Sequence, residues 1–281
     1  MKKMKMTEQN MDDYRIYLTQ EEKSRGTIEK YLRDVRRFYE FLPEQKVIDR
    51  EAVLSYKASL LPGYQISSAN SMLIAVNSFL DYMGLQELKV KVYKFQRSLL
   101  ADPSRELSKR EYLRLLEAAE SQGKFRLNLI IQTICSTGIR ISELPCITWE
   151  SVQSGKSVIR LKGKTRMIIL PQKLRGKLAD YCKQEQITSG PVFQTRTGHP
   201  IHRSNIWSDM KRLCRGAEID EKKVFPHNLR HLFARTYYRK NHDIVYLADI
   251  LGHSSIETTR IYTSVSVQEH ERVLEEIGLT V

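Results

Sequence analysis

The chain has 281 residues, room for one or two domains that each bury a core. Hydrophobic residues make up 41% and charged residues 28%, while 13 Gly and 8 Pro are too few for a collagen-like or low-complexity protein. Lys and Arg number 46 against 33 Asp and Glu, and the net charge of +13 points to a polyanionic partner, nucleic acid first and an anionic membrane surface second. The basic opening Met1 to Met6 runs into the polar stretch Thr7 to Tyr14, so no signal-peptide apolar segment follows it. No uninterrupted apolar run approaches the roughly 18 to 20 residues of a membrane helix. Cys135, Cys146, Cys182 and Cys214 are scattered without C-x-x-C spacing and read as buried free thiols, so a cytoplasmic, reducing compartment is expected.

The first third reads as four helices. Met11 to Lys23 is the first. Ile28, Tyr31, Leu32, Val35, Phe38, Tyr39 and Leu42 recur at three and four, giving an amphipathic second helix from Thr27 to Leu42, with Lys30, Arg33, Arg36 and Arg37 on its other face. Such a basic face is either simply solvated or, on a chain this basic, turned toward nucleic acid. Pro43 stops that helix, Asp49 is a candidate N-cap for the third, Pro62-Gly63 ends it, and a fourth runs from Ile66 to Met83 before Gly84. Periodicity then weakens through Lys89 to Glu106, and the breaker Ala101 to Ser104 places an interdomain linker at 96–106 between units 1–95 and 107–281.

The second unit opens with Ser108 and Glu111 as a capping box for a helix running to Gly123, followed by an apolar helix from Phe125 to Ser136. The strand signals are short: Ser157 to Leu161 and Arg166 to Leu170 are rich in β-branched residues and pair as a hairpin around the turn Lys162 to Thr165. Helical patterns return at Lys173 to Glu185, Ser204 to Arg215, Asn228 to Arg239, Ile244 to Leu251 and Val267 to Ile277, and no repeat at a solenoid period is present. The expected fold class is therefore mainly α, a four-helix N-terminal domain followed by a mixed α+β domain with a small antiparallel sheet.

Four segments place basic or phenolic groups at helix boundaries and turns: Thr137 to Leu144 (TGIRISEL), Lys162 to Arg166 (KGKTR), Pro226 to His231 (PHNLRH) and Leu251 to Tyr262 (LGHSSIETTRIY). Gly138 permits a sharp helix ending with Arg140 projecting from the turn after it. Pro226 suits a first helical position, and His227 and Arg230, three apart, then share a face. Gly252 ends a helix, His253 follows, and a short helix after it brings Tyr262 back toward His253. Each piece alone has a bland reading: Arg140 as a surface pair with Glu143, Tyr262 as one of 14 tyrosines packed in a core, Lys162 or Lys164 as solvated turn residues. His227 and His231 have the i, i+4 spacing of two metal ligands, yet Arg230 between them would repel a cation and no H-E-x-x-H motif or third ligand lies nearby.

In this order the segments resemble the tyrosine recombinases, the phage integrase family, over the whole chain and in the simple two-domain form of the Xer-like and mobile-element integrases. The family's Arg, hairpin Lys, His-x-x-Arg, Leu-Gly-His and Tyr are matched by Arg140, Lys162, His227, Arg230, His253 and Tyr262. Lys164 is the alternative lysine, since only Lys162 lies at the family's offset from Arg166. Ser24, Thr27, Ile28 and Tyr31 match a stretch of the family's helical core-binding (SAM-like) domain.

The resemblance implies a site-specific recombinase that breaks and rejoins DNA strands through Tyr262. Arg140 and Arg230 would neutralise the charge spread over the non-bridging oxygens, the cationic cluster would favour the Tyr262 phenolate or His227 would serve as its base, Lys162 would be the acid to the leaving 5′-oxygen, and His253 would donate a hydrogen bond to the phosphate. No cofactor and no metal are expected. The partners expected are double-stranded DNA, clamped between the two domains, and a homotetramer on paired sites, with no membrane contact. The helical domain starts within about ten residues of Met1, which leaves no room for an arm-binding domain and favours a simple recombinase or one aided by accessory proteins. The amphipathic stretch Val267 to Ile277 is expected either to pack on its own domain or to dock on a neighbouring protomer. A type IB topoisomerase-like relaxase and a non-catalytic DNA-binding regulator remain competing readings.

Overall fold

The computed structural model describes residues 3–94, 103–161 and 164–263, together with 272, 275 and 276. Lys162 and most of the expected terminal helix Val267 to Ile277 lie outside the described residues. The chain divides into two compact units, Met1–Arg97 and Ser98–Val281. Among the described residues no helix is long and apolar enough to cross a membrane.

The first unit consists of β1 (Met4–Lys5), α1 (Glu8–Gln20), α2 (Arg25–Phe41), β2 (Val47–Ile48), α3 (Arg50–Leu60) and α4 (Ile66–Tyr82). The helices begin where short polar side chains satisfy first-turn amides: Thr7 accepts from Asn10, Ser24 from Thr27 and Asp49 from Ala52. Their apolar stripes meet in one core around Tyr14, Leu18, Phe38, Leu73, Val76 and Phe79. The basic face of α2 is partly spent internally, because Asp34, nearly fully buried on that same helix, takes Lys30 at 2.6 Å and Arg33 at 3.3 Å. Arg37 reaches the Tyr64 hydroxyl at 3.1 Å. The antiparallel pair β1·β2, absent from the sequence reading, ties the segment before α1 to the α2–α3 connection. Two-residue strands carry no readable alternation, and this one is set by the α2–α3 turn, where Lys46 caps the Tyr39 and Leu42 carbonyls at 2.8 and 2.9 Å.

The second unit comprises α5 (Lys109–Ser121), α6 (Phe125–Thr137), a 3-10 turn at Ile141–Cys146, α7 (Trp149–Ser154), β3 (Lys156–Leu161), β4 (Lys164–Ile169), α8 (Gln172–Gln184), α9 (Arg203–Ala217), α10 (Pro226–Asn241), α11 (Ile244–Leu251), α12 (Ile256–Thr259) and a 3-10 turn at Arg260–Tyr262. The expected Ser108–Glu111 capping box opens α5. Helix α6, buried at Leu129, Ile130, Ile131 and Ile134, is the central element and packs against α5, α8, α9 and α10. In the hairpin Ile159 pairs with Arg166 and Leu161 with Lys164, so Lys164 and Thr165, expected in the turn, are the first residues of β4. The six-residue α7, too short for a periodic signal, forms because Thr148 and Ser151 cap it reciprocally and Gly155 ends it in the left-handed region.

Candidate active site

Two helices end on glycine and aim their last carbonyls at one point. Helix α6 stops at Gly138, with φ at +66°, and α11 stops at Gly252, with φ at +63°. A Cβ on Gly138 would lie 2.4 Å from the Phe233 ring, and one on Gly252 would lie 2.7 Å from Arg166 Cδ, so neither position accepts a side chain without displacement. Between these ends sits Arg230 from the first turns of α10, 1% exposed, donating from Nη1 to the Gly138 carbonyl at 2.6 Å and from Nη2 to the Leu251 carbonyl at 2.7 Å. Burial, with Arg140 nearby, lowers its pKa to about 10, which leaves it a cation at neutral pH.

Arg140 follows Gly138 in extended conformation and caps the 3-10 turn. Its backbone amide donates to Glu143 Oε2 at 2.7 Å, its Nη1 to Oε1 at 3.0 Å, and its Nη2 to the Gly252 carbonyl at 3.3 Å. The pairing with Glu143 weighed from the sequence is therefore present, but it is no surface pair: the Glu143 side chain is 2% exposed, whereas that of Arg140 is 40% exposed. Arg166 of β4 holds the other side of the same carboxylate and also donates to the Ile250 carbonyl. Sequence reasoning used Arg166 only as a ruler for the lysine and gave Glu143 no role in the site, since a contact 23 residues apart in sequence leaves no local signal.

Three histidines line the cluster. His253 Nε2 lies 2.9 Å from Arg230 Nη2 and its Nδ1 lies 2.8 Å from the buried Thr259 hydroxyl. A guanidinium only donates, so Nε2 is the acceptor and the proton sits on Nδ1, donated to Thr259. Burial and the Arg230, Arg140 and Arg166 cations lower the His253 pKa to about 4. His231, half-buried, has an Nε2 with no hydrogen-bond partner and packs edge-on against the Tyr262 ring with centroids 4.9 Å apart; burial and its cationic neighbours lower it to about 4. His227 stands at the exposed rim, its ring 4.4 Å from that of His231, and desolvation with Arg230 and Arg140 lowers its pKa.

Tyr262 completes the arrangement. The short α12 and the 3-10 turn after it carry Tyr262 back so that its ring stacks on that of His253, 6.1 Å between centroids and 17° between planes. It is 2% exposed, and burial raises its phenol pKa while Arg230 and Arg140 oppose that rise. The structure thus brings Arg140, His227, Arg230, His253 and Tyr262 together from three separate stretches of chain. Glu143, Arg166, His231 and Thr259 join them.

The phage integrase family model matches residues 105–269, and the phage integrase N-terminal SAM-like domain model matches residues 11–86. The chain belongs to the phage integrase family. It is 30% identical over 283 residues to the tyrosine recombinase XerA of Thermococcus kodakarensis, covering 96% of each chain. With the XerA of Pyrococcus furiosus the identity is 28% over 280 residues, covering 96% of this chain and 94% of that one. A crystal structure of XerA recombinase aligns with a TM-score of 0.54 at 27% identity, over 96% of this chain and 98% of that one. A lambda integrase fragment, as a dimer bound to a core site, shares the fold with a TM-score of 0.71 at 17% identity, over 91% of this chain and 94% of that one.

The depressed histidines make stability depend on pH. His231 and His253 titrate near 4 in the folded chain and near 6.5 when unfolded, so between those values the unfolded state binds more protons and stability rises with pH. The melting temperature is expected to hold above about pH 7 and to fall as pH drops from about 6.5 toward 4. Differential scanning calorimetry of the wild type and of His231→Phe, which removes one of the two groups, checks this: the variant's acid-side decline is shallower.

Proposed function

We propose that this tyrosine recombinase cleaves and rejoins DNA strands at specific sites through a covalent 3′-phosphotyrosine on Tyr262. The observation that carries the reading is the buried Tyr262 phenol, stacked on the His253 ring and interacting with Arg230, a guanidinium that two helix ends hold in place. The Tyr262 oxygen attacks the scissile phosphorus, the bond to the 5′-oxygen breaks, and the phosphoryl group stays on the tyrosine. Its free energy is retained, so rejoining draws on no ATP. Arg230 and the half-exposed Arg140 neutralise charge as it develops on the non-bridging oxygens.

A phenol whose pKa is raised needs a base, and His227, kept neutral by its depressed pKa and exposed at the rim, is the group placed to take the proton. Lys162 is our choice for the acid that protonates the leaving 5′-oxygen, with Lys164 as the alternative. His253 accepts from Arg230 at Nε2, so an arriving phosphate oxygen takes over that guanidinium donor, and His253 turns its own ring proton toward the phosphate only by exchange through Thr259.

Double-stranded DNA as the partner is supported by the basic balance of the chain and by relatives of this fold solved on DNA, among them XerH bound to its difH substrate. A homotetramer acting on two paired sites is supported by a lambda integrase tetramer solved on a Holliday junction. Integration or excision of a mobile element and resolution of DNA dimers all use this chemistry. Action on DNA in the cytoplasm, without membrane contact, completes the reading.

The test uses a nicked suicide duplex carrying a site that the chain selects from a randomised DNA pool. Wild type is expected to form a covalent protein–DNA complex and Tyr262→Phe none, with site binding nearly unchanged. Trapping that survives in Tyr262→Phe would make another tyrosine the nucleophile. A wild type that binds without trapping would be a DNA-binding regulator, and relaxation of supercoiled plasmid without joining of two duplexes would mark a topoisomerase-like relaxase.

In the same assay Arg140→Ala and Arg230→Ala are each expected to slow cleavage by at least about 10²-fold, the scale for one preorganised oxyanion partner. A near-normal rate would return that arginine to a structural role. Affinity should fall on the order of 10³-fold between about 50 and 200 mM salt if about six phosphates are neutralised, a slope that filter binding measures directly.

A further inference from the structure

Helix α10 has two working sides. One carries His227 and Arg230 into the site. The other carries Asn228 and Arg235, seven residues and two turns apart, and both are buried, at 3% and 7% exposure. Asn228 uses both hydrogens of its amide: Nδ2 donates to the Arg105 carbonyl at 3.0 Å and to the Lys223 carbonyl at 2.7 Å. Arg235 donates from Nη2 to the Leu107 carbonyl at 3.0 Å and pairs through Nη1 with the Glu106 carboxylate. Arg105 to Leu107 is therefore a strap laid along α10 and stitched to it at two levels. Beyond the strap, Leu107 is fully buried in the core and Ser108 caps α5. Lys223, at the other end of the Asn228 bridge, reaches back to Glu111 of α5 at 2.9 Å.

This stitching is not what packing alone would select. A buried guanidinium is costly to desolvate, and an apolar side chain of similar length would bury against Leu107 without that cost; hydrogen bonds to backbone carbonyls instead fix axial register, which apolar contact leaves loose. The need for register is local. Phe225, the residue before α10, supplies no side-chain cap, so on the helix itself only Pro226 and the backbone amides of Asn228 and Leu229, donating to the Phe225 carbonyl, hold the first turn that bears His227. Asn228, the very next residue, anchors that turn both to the strap and to the loop leading into the helix.

We propose that Asn228 and Arg235 are positioning residues for strand cleavage, pinning the strap Arg105–Leu107 along α10 so that His227 and Arg230 meet the scissile phosphate in register. The inference rests on the reading of Tyr262, His227 and Arg230 given above.

Full-length Asn228→Leu and Arg235→Met, each close in size to the residue replaced, test it on the same nicked duplex. At saturating protein the rate of covalent complex formation is expected to fall by about 10-fold or more, on the scale of a misplacement below 1 Å, while DNA affinity stays within about 3-fold of wild type. Arg235→Lys, which keeps a cationic donor, should recover most of the rate. Unchanged rates in both variants would overturn the proposal, and so would a loss of rate that tracks loss of cooperative melting and is not recovered by Arg235→Lys.

A wild type that forms no covalent complex would instead sink the recombinase reading. The strap would then be judged by the NMR signals of the His227 imidazole. They must shift in Asn228→Leu and Arg235→Met but not in the exposed control Arg212→Met, and signals that stay in place in all three overturn it.

Discussion

The buried guanidinium of Arg230 is the interaction on which the second unit's site depends. A cation 1% exposed is tolerable only if most of its donors are met, and here Nη1 and Nη2 are met by the C-terminal carbonyls of two helices, Gly138 of α6 and Leu251 of α11, while Nε has no hydrogen-bond partner. The C-terminal end of a helix carries partial negative charge and unpaired carbonyls, so it holds a cation without introducing a formal counter-charge. Both helices can end this abruptly only because a glycine takes the left-handed conformation at each stop. The position of α10 relative to α6 and α11 is thereby fixed by the same hydrogen bonds that aim the guanidinium.

Glu143 plays the complementary part. One buried carboxylate is shared by Arg140, from the turn after α6, and Arg166, from the hairpin, and it joins the only two-stranded sheet described in this unit to the site. Removing it would leave two guanidiniums facing each other across a cavity, and breaking a buried pair in this way costs about 3 to 5 kcal/mol. The Arg140–Glu143 contact is thus structural for one end of the arginine while the other end stays half-exposed for use.

Much of this was legible in the sequence because it is written in local chemistry. The stops at Gly138 and Gly252, the caps at Asp49 and Ser108, the shared face of His227 and Arg230 and the return of Tyr262 toward His253 all follow from neighbours a few residues apart. What escaped was either too short or too distant. Two-residue strands and the six-residue α7 have no period to read. The partners of Arg230 are backbone carbonyls 92 and 21 residues away, and a carbonyl has no identity in a sequence. Arg166 and His231 stood in segments already singled out, yet their roles depend on which face of β4 and α10 turns inward, and only packing decides that.

In the proposed reaction the charge inventory of the site favours the transition state over the bound ground state. Arg140, Arg166 and Arg230 contribute three positive charges and Glu143 one negative, while burial, helped by Arg230 at His231 and by all three arginines at His253, holds both histidines neutral at pH 7. The net excess among these groups is two positive charges, and the lysine proposed as acid would add a third. A phosphodiester brings one negative charge, and the five-coordinate arrangement formed on attack by a phenolate carries about two, so an excess of this sign stabilises the transition state more than the bound phosphate. In the proposed reaction the depression, whose first cause is burial, keeps His231 and His253 from adding charge and leaves His227 free to accept the proton that Tyr262 would lose.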